Sequence, residues 1–498
     1  MSSIPLILQA EAHPGRTAIV DREGSHTYRD LLDASARAAA GLLAGRASLD
    51  GARIAFLMPS GFEHVAVEWG VWRAGGIAVP LTAQHPKPEL AYELDLLKVE
   101  ALVAHPESRA LLGELAAERE LPLHAASELL RAAPAALPDV RPERPALVVF
   151  TSGTTARPKG VVLSHANLAF QVETLVKAWG WRADDRILHV LPLHHVHGIV
   201  NVLCCPLWAG ACCEMHAKFE PETAWARLAG GEITVFMAVP TIYARLIAAY
   251  EAQPPERRRE LSARAAKLRL MVSGSAALPE ETLRRWRELT GHVLLERYGM
   301  TEIGMALSNP LHGERRPRHV GQPLPGVEVK LRDEQGRPVG DGQPGELYVR
   351  GPGVFKQYWE NPDATAASFV DGWFRTGDTA VLEDGSYRIL GRNSVDIIKT
   401  GGYKVSALEI EDVLLKRPEI AECAVLGLPD PEWGERVCAV VVPKAGAAVS
   451  LDELRPWAKE RLAGYKVPTR LVTLEALPRN AMGKVSKPEV LKIVQRMP

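Results

Sequence analysis

Short apolar runs alternate with longer amphipathic stretches through most of the chain, up to about Gly391. Leu268-Arg-Leu-Met-Val272 reads as a strand, Ser273-Gly-Ser-Ala-Ala277 as a loop, and Pro279 as the opening of a helix. Ala146-Leu-Val-Val-Phe150 and Gly160-Val-Val-Leu163 read as two strands around a polar loop, with a helix capped by Asn167 beyond them. Val293-Leu-Leu-Glu-Arg297 is another strand. Strands and helices in alternation predict an α/β layer protein. Past Arg392 the scale changes. Val395-Asp-Ile-Ile398, a Gly401-Gly402 turn, the capping boxes Ser406-Ala-Leu-Glu409 and Ser450-Leu-Asp-Glu453, and strands over Ala421–Val425 and Arg436–Val442 predict a small α+β unit. The expected architecture is a large multi-layer α/β domain over residues 1–392 and a small mobile α+β domain over 393–498, joined by a short, directional junction.

Composition narrows the function classes. A chain of 498 residues exceeds the ~250–300 at which a single core stops growing. Lys and Arg total 59 against 60 Asp and Glu, a net charge of −1, which supplies no field for nucleic acid or an anionic bilayer. Six cysteines, without C-x-x-C spacing, read as reduced core thiols. The first residues lack a secretory apolar core and an Arg-rich transit pattern, and no apolar stretch reaches the ~20 residues of a membrane span. The expectation is a cytoplasmic protein acting on small molecules.

The polar loop Thr151-Ser-Gly-Thr-Thr-Ala-Arg-Pro-Lys-Gly160 carries the strongest chemical signal. Small hydroxylated residues and glycines let backbone wrap phosphate oxygens, and Lys159 adds a point charge. Pro158 and the apolar run after Gly160 exclude a Walker loop, leaving a phosphate cradle between strands or an ordinary connector. Tyr298-Gly-Met-Thr-Glu302 puts a hydroxyl and a carboxylate just past a strand end, making Glu302 a candidate Mg²⁺ ligand beside a triphosphate, or a solvated loop glutamate. Arg375-Thr-Gly-Asp378 offers a carboxylate behind a tight turn, suited to a ribose diol or to nothing beyond the turn. Lys484 follows a glycine on what composition alone makes a solvated loop. In His194-His-Val-His197, strand alternation would set His195 and His197 on one face, lining a pocket or filling core, with zinc the lesser alternative.

These four segments, in this order, resemble the adenylate-forming superfamily of acyl-CoA synthetases, peptide-synthetase adenylation domains and firefly luciferase. Leu193-His-His-Val-His-Gly198, Val239-Pro-Thr-Ile-Tyr243, Met271-Val-Ser-Gly-Ser-Ala-Ala-Leu278 and Glu296-Arg-Tyr-Gly-Met-Thr-Glu302 resemble malonyl-CoA and methylmalonyl-CoA synthetases more narrowly. The resemblance implies that ATP, Mg²⁺ and coenzyme A are used in two steps, adenylation of a carboxylate and thioester formation. It implies that Thr151, Ser152, Gly153, Thr154, Thr155 and Lys159 hold the outer phosphates, and that Thr301 and Glu302 serve the α-phosphate and Mg²⁺. Ser275, Tyr298, Asp378 and Arg392 would complete the nucleotide site. Lys484 would bridge the attacking carboxylate and the α-phosphate, and the region of Gly402 and Lys404 would face the thiol after the small domain rotates.

Substrate choice turns on arginine. A second carboxylate that stays buried needs a buried cation, and Arg297 and Arg245 match arginines of the malonyl-specific enzymes, with His195 and His197 alongside. The chain departs from the family in Ala156, where glycine is usual, and in a junction one residue longer than usual, leaving the hinge within Asn393 to Asp396. A ligase for another short or aromatic carboxylate, or an enzyme loading an acyl-carrier protein, is the alternative. A non-catalytic scaffold is disfavoured because Lys159, Glu302, Asp378 and Lys484 are all present. A lysine acetyltransferase acting on Lys484 is a further candidate partner.

Overall fold

The computed structural model describes residues 3–151, 158–401, 403–480 and 483–497. Two largely parallel sheets form the heart of the molecule. In one, strands Leu295–Met300, Leu270–Ser273, Val235–Ala238, Arg186–His189, Cys212–Met215 and Thr17–Asp21 lie side by side and parallel. In the other, Pro145–Thr151, Ile77–Pro80, Arg53–Leu57, Ala101–Ala104 and Leu123–Ala125 do the same. Their strands are apolar on both faces, as sheets covered by helices require. The helices Tyr28–Leu43 and Phe62–Arg73 pack between them, with Trp69 and Trp72 wholly buried.

A third, antiparallel sheet holds Glu328–Arg332, Gly345–Arg350, Trp373–Glu383 and Ser386–Arg392. A fourth belongs to the C-terminal part, with Ile397–Thr400, Tyr403–Ser406, Ile420–Asp430, Gly434–Pro443 and Arg470–Thr473 around two small cores of its own. The expected large α/β layers followed by a smaller α+β unit are therefore present. Among the described residues no helix is long and apolar enough to cross a membrane.

Three local readings change. The helix after the second strand spans His165–Ala178 and is capped by Ser164, with Asn167 at its third position completing a capping box. Arg375-Thr-Gly-Asp378 is not a turn but part of the 11-residue strand Trp373–Glu383, where a register shift falls just beyond it. His197 opens a π-helix, His197–Cys204, so the histidines are not strand residues. A π-helical turn widens the ring and is common where a site is built.

Candidate active site

The ends of three sheets meet at one cleft. Strand Pro145–Thr151 pairs antiparallel with Lys159–Ser164, so Thr151 stands opposite Lys159 at the root of the predicted phosphate loop. Ser152, Gly153, Thr154, Thr155 and Ala156 lie outside the described residues. Lys159 Nζ sits 4.3 Å from the centre of the Tyr358 ring, and the Tyr358 hydroxyl donates to Glu302 Oε1 at 2.9 Å. Glu302 is 5 % exposed, and burial raises its pKa against the lowering influence of Arg392 and Lys159. The Tyr358 hydroxyl and the charges of Arg392 and Lys159 offset part of the cost of burying this carboxylate.

Tyr298 lies at the same strand end and donates to Asp378 Oδ2 at 2.5 Å. Asp378 pairs across the ladder with Arg392, whose Nε is 3.3 Å from Asp378 Oδ1. Burial pushes the Asp378 carboxyl up while Arg392 holds it down. The bulged strand thus aims a carboxylate, an arginine and a phenol at one place, the donor and acceptor set a ribose and phosphate need. Lys484 reaches this place from the small domain. It is partly buried, and burial together with the charges of Arg297 and Arg392 pulls its pKa down to about 8.

Beyond these residues lies a second wall of the cleft. Arg297 is 3 % exposed, and its Nε and Nη2 have no hydrogen-bond partner among the described residues. The adjacent Glu296 turns away, accepting from the backbone of Leu278. Gly274 makes room for the guanidinium: a Cβ there would stand 2.5 Å from Arg297 Cζ. Next to it Ser275, in the left-handed region at φ 69°, meets His197 Nδ1 at 3.0 Å. His197 is buried, and burial, Arg297 and Lys484 hold it neutral; His195 is held neutral by burial, His194 and Lys484.

The sequence-predicted residues Lys159, Thr301, Glu302, Tyr298, Asp378, Arg392, Lys484, Ser275, His195, His197 and Arg297 thus gather around one cleft. Arg245 does not. It is exposed on the helix Pro240–Glu251, its guanidinium 4.7 Å from the Phe219 ring centre. Lys404 is also away from the cleft, paired with Glu334 at 2.8 Å, and Gly402 lies outside the described residues. Sequence reasoning missed Tyr358, which carries no motif, and the part played by Gly274, which lies inside the Met271–Leu278 motif; only the folded chain sets them beside Glu302 and Arg297.

The model of the AMP-binding enzyme family matches residues 7–359, and that of the AMP-binding enzyme C-terminal domain matches residues 409–484. The chain belongs to the AMP-binding enzyme family. Among members of this family, it is 47% identical to a mitochondrial malonate–CoA ligase of Xenopus laevis, covering 98% of this chain and 91% of that one. A malonate–CoA ligase of Arabidopsis thaliana is 43% identical, over 91% of this chain and 79% of that one. The solved structure of ATP-bound MatB from Rhodopseudomonas palustris superposes with a TM-score of 0.91 at 34% identity, covering 100% of this chain and 99% of that one. The apo structure of the same protein gives 0.82 at 34% identity, with 99% of each chain covered. The arrangement seen here is therefore nearer the ATP-bound form. The expected cytoplasmic location is corrected by the relatives: the ligases of Xenopus laevis, Bos taurus, Mus musculus and Homo sapiens are named as mitochondrial. That expectation rested on the first residues lacking a secretory core and an Arg-rich transit pattern and on the lack of a membrane-length apolar stretch, neither of which reports a compartment.

Proposed function

We propose that this AMP-binding enzyme ligates malonate to coenzyme A at the expense of ATP. A malonate carboxylate oxygen attacks the α-phosphorus, the bond to pyrophosphate breaks, and malonyl adenylate forms. The thiol of coenzyme A then attacks the acyl carbon, AMP leaves with the C–O electron pair, and the thiol proton is released. The single observation that carries the dicarboxylate reading is Arg297, a buried guanidinium without a carboxylate hydrogen-bonded to it among the described residues, set behind the reacting position. A carboxylate spent on adenylation cannot satisfy it; the second one does. Neutral His197 and His195 exclude a rival anion while leaving ring nitrogens to orient the acid. The residues present do not choose between malonate and methylmalonate, since one methyl group is worth only ~1–3 kcal/mol.

In this reading Lys484 brings its charge between the attacking carboxylate and the α-phosphate, where it offsets the repulsion of the two anions and the negative charge that builds on the α-phosphate oxygens. Thr301 and Lys159 hold phosphate oxygens, and Asp378 takes the ribose hydroxyls. Glu302 would hold Mg²⁺: its one buried carboxylate in an oxygen-rich setting suits an ion shared with a triphosphate, and the ion would offset phosphate charge. Among the described residues no group of three or more His, Cys, Asp and Glu could hold a metal unaided. We take the boundary between the two parts at Arg392 and Asn393, and Lys404 as a thiol-side residue only after the small part turns. A lysine acetyltransferase could reach Lys484 fully only in that turned state.

The test is AMP release from purified protein with ATP, Mg²⁺ and each of malonate, methylmalonate, succinate, acetate and benzoate, with coenzyme A and without it. Turnover confined to short dicarboxylates and dependent on coenzyme A is expected. Preference for acetate or benzoate would refute the dicarboxylate reading, and a requirement for an acyl-carrier protein would replace the acceptor.

A further inference from the structure

Lys487 opens the last helix, Lys487–Gln495, three residues beyond Lys484. Its Nζ lies 2.5 Å from Asp396 Oδ1 and 2.7 Å from Glu411 Oε1, and its side chain is only 10% exposed. Removing an ammonium from water is expensive unless partners replace the hydration shell. Here two carboxylates outweigh burial and hold the lysine firmly charged.

Both carboxylates have further duties. Asp396 Oδ2 accepts from the backbone of Arg392 at 3.0 Å, and the Asp396 carbonyl accepts from Ala407 at 2.7 Å. Glu411 Oε1 accepts from the backbone of Val425 at 2.7 Å. One ammonium therefore ties the start of the last helix to the junction segment and to the helix Ala407–Leu414. The loop ahead of it is closed on itself: Lys484 N donates to Asn480 Oδ1 at 3.0 Å, and Ser486 N to Pro478 O at 2.8 Å. It must travel with Lys487.

The other end of the junction is tied elsewhere. Asn393 N donates to Gly377 O at 2.9 Å, and the Thr379 hydroxyl donates to the Asn393 side chain. Asn393 is thereby fixed to the long strand that carries Asp378, while Asp396 joins the small part through Lys487 and is bridged back to Arg392, its N–H donating to Arg392 O at 2.8 Å and its Oδ2 accepting from Arg392 N at 3.0 Å. Only Ser394 and Val395 lie between the two anchors.

We propose that Lys487 is a positioning residue for Lys484: by clamping Asp396 and Glu411 it makes the junction and the Lys484 loop one rigid unit, which sets Lys484 at the reacting phosphate. The proposal rests on reading Lys484 as the adenylation lysine. It predicts a loss confined to the step that uses Lys484.

The experiment separates the two half-reactions in the full-length protein. Malonate-dependent exchange of labelled pyrophosphate into ATP reads the first; conversion of supplied malonyl adenylate and coenzyme A to malonyl-CoA reads the second. Lys487→Met is expected to lose about 100-fold in exchange, the scale of an ångström misplacement of a catalytic group, while the second half-reaction stays within about threefold of wild type. Lys487→Arg, which keeps the charge, should recover most of the exchange. Should Lys487→Met fail to fold, Asp396→Asn breaks one arm of the clamp and should show the same selective loss, at about tenfold. Parallel decline of both half-reactions, or undiminished exchange in either variant, overturns the proposal. Lys484→Ala run alongside tells the two readings apart: if it keeps its exchange, the assignment of Lys484 has failed rather than that of Lys487.

Discussion

The two sides of the cleft are built by opposite means. On the large side, Arg297 and Asp378 stand within strands and Glu302 just past one, with 3 %, 5 % and 5 % of their surface exposed, fixed before any ligand arrives. On the small side, Lys484 rides a loop, and the contacts across the seam include exposed ion pairs, Lys404 with Glu334 at 2.8 Å and Lys416 with Glu280 at 2.8 Å. Such buried groups are held by the core and cannot leave without unfolding it. Exposed ion pairs are worth ~0–1 kcal/mol each and can be exchanged for others. The contrast assigns choice of acid to the large side and timing of chemistry to the small side.

That division can be broken experimentally. The largest effect belongs to Lys484→Ala, which should lower malonate-dependent pyrophosphate exchange about 10³-fold, as loss of a preorganised charge does, and leave thioester formation from supplied adenylate nearly intact. Equal loss in both steps would erase the division. Gly274→Ala is next. The new methyl group would meet the Arg297 guanidinium, so kcat/KM for malonate should fall by about 30-fold, a cost of about 2 kcal/mol, with ATP binding measured by calorimetry unchanged.

A pH profile sharpens the same contrast. Lys484 works as the cation, and its pKa is held down at about 8, so the working form is present below that pH and lost above it. The kcat/KM for exchange should fall by about tenfold per unit above that value. Lys484→Arg, always charged, should lack the limb. The smallest effect is expected at the seam. Lys416→Ala should change the ratio of the two half-reaction rates by no more than about threefold, since the Glu280 pair it removes is exposed.

Much of this was readable in the chain. The strand, polar loop, strand unit at Pro145–Ser164 followed from apolar runs interrupted by Gly, Ser and Thr, and the small C-terminal unit followed from its two capping residues, Ser406 and Ser450. Motif order supplied the family and most of the cleft. What stayed hidden depends on contacts between distant residues. Asp378 looked like a turn residue because Thr-Gly-Asp is turn chemistry, yet pairing with Arg392 across the ladder overrides that preference. Tyr358 and Lys487 carry no signal until the fold sets them against Glu302 and Asp396. Arg245, chosen from its place in a motif, is exposed on the helix Pro240–Glu251 beside Phe219.

The central claim is that a buried guanidinium selects a second carboxylate. The direct measurement is kcat/KM for malonate and for acetate, side by side, in wild type and Arg297→Met. The account predicts that the variant loses malonate by about 10²–10³-fold, the ~3–5 kcal/mol of an uncompensated buried charge, while acetate is unchanged or improved. Equal loss of both acids, or malonate turnover that survives the substitution, would contradict it.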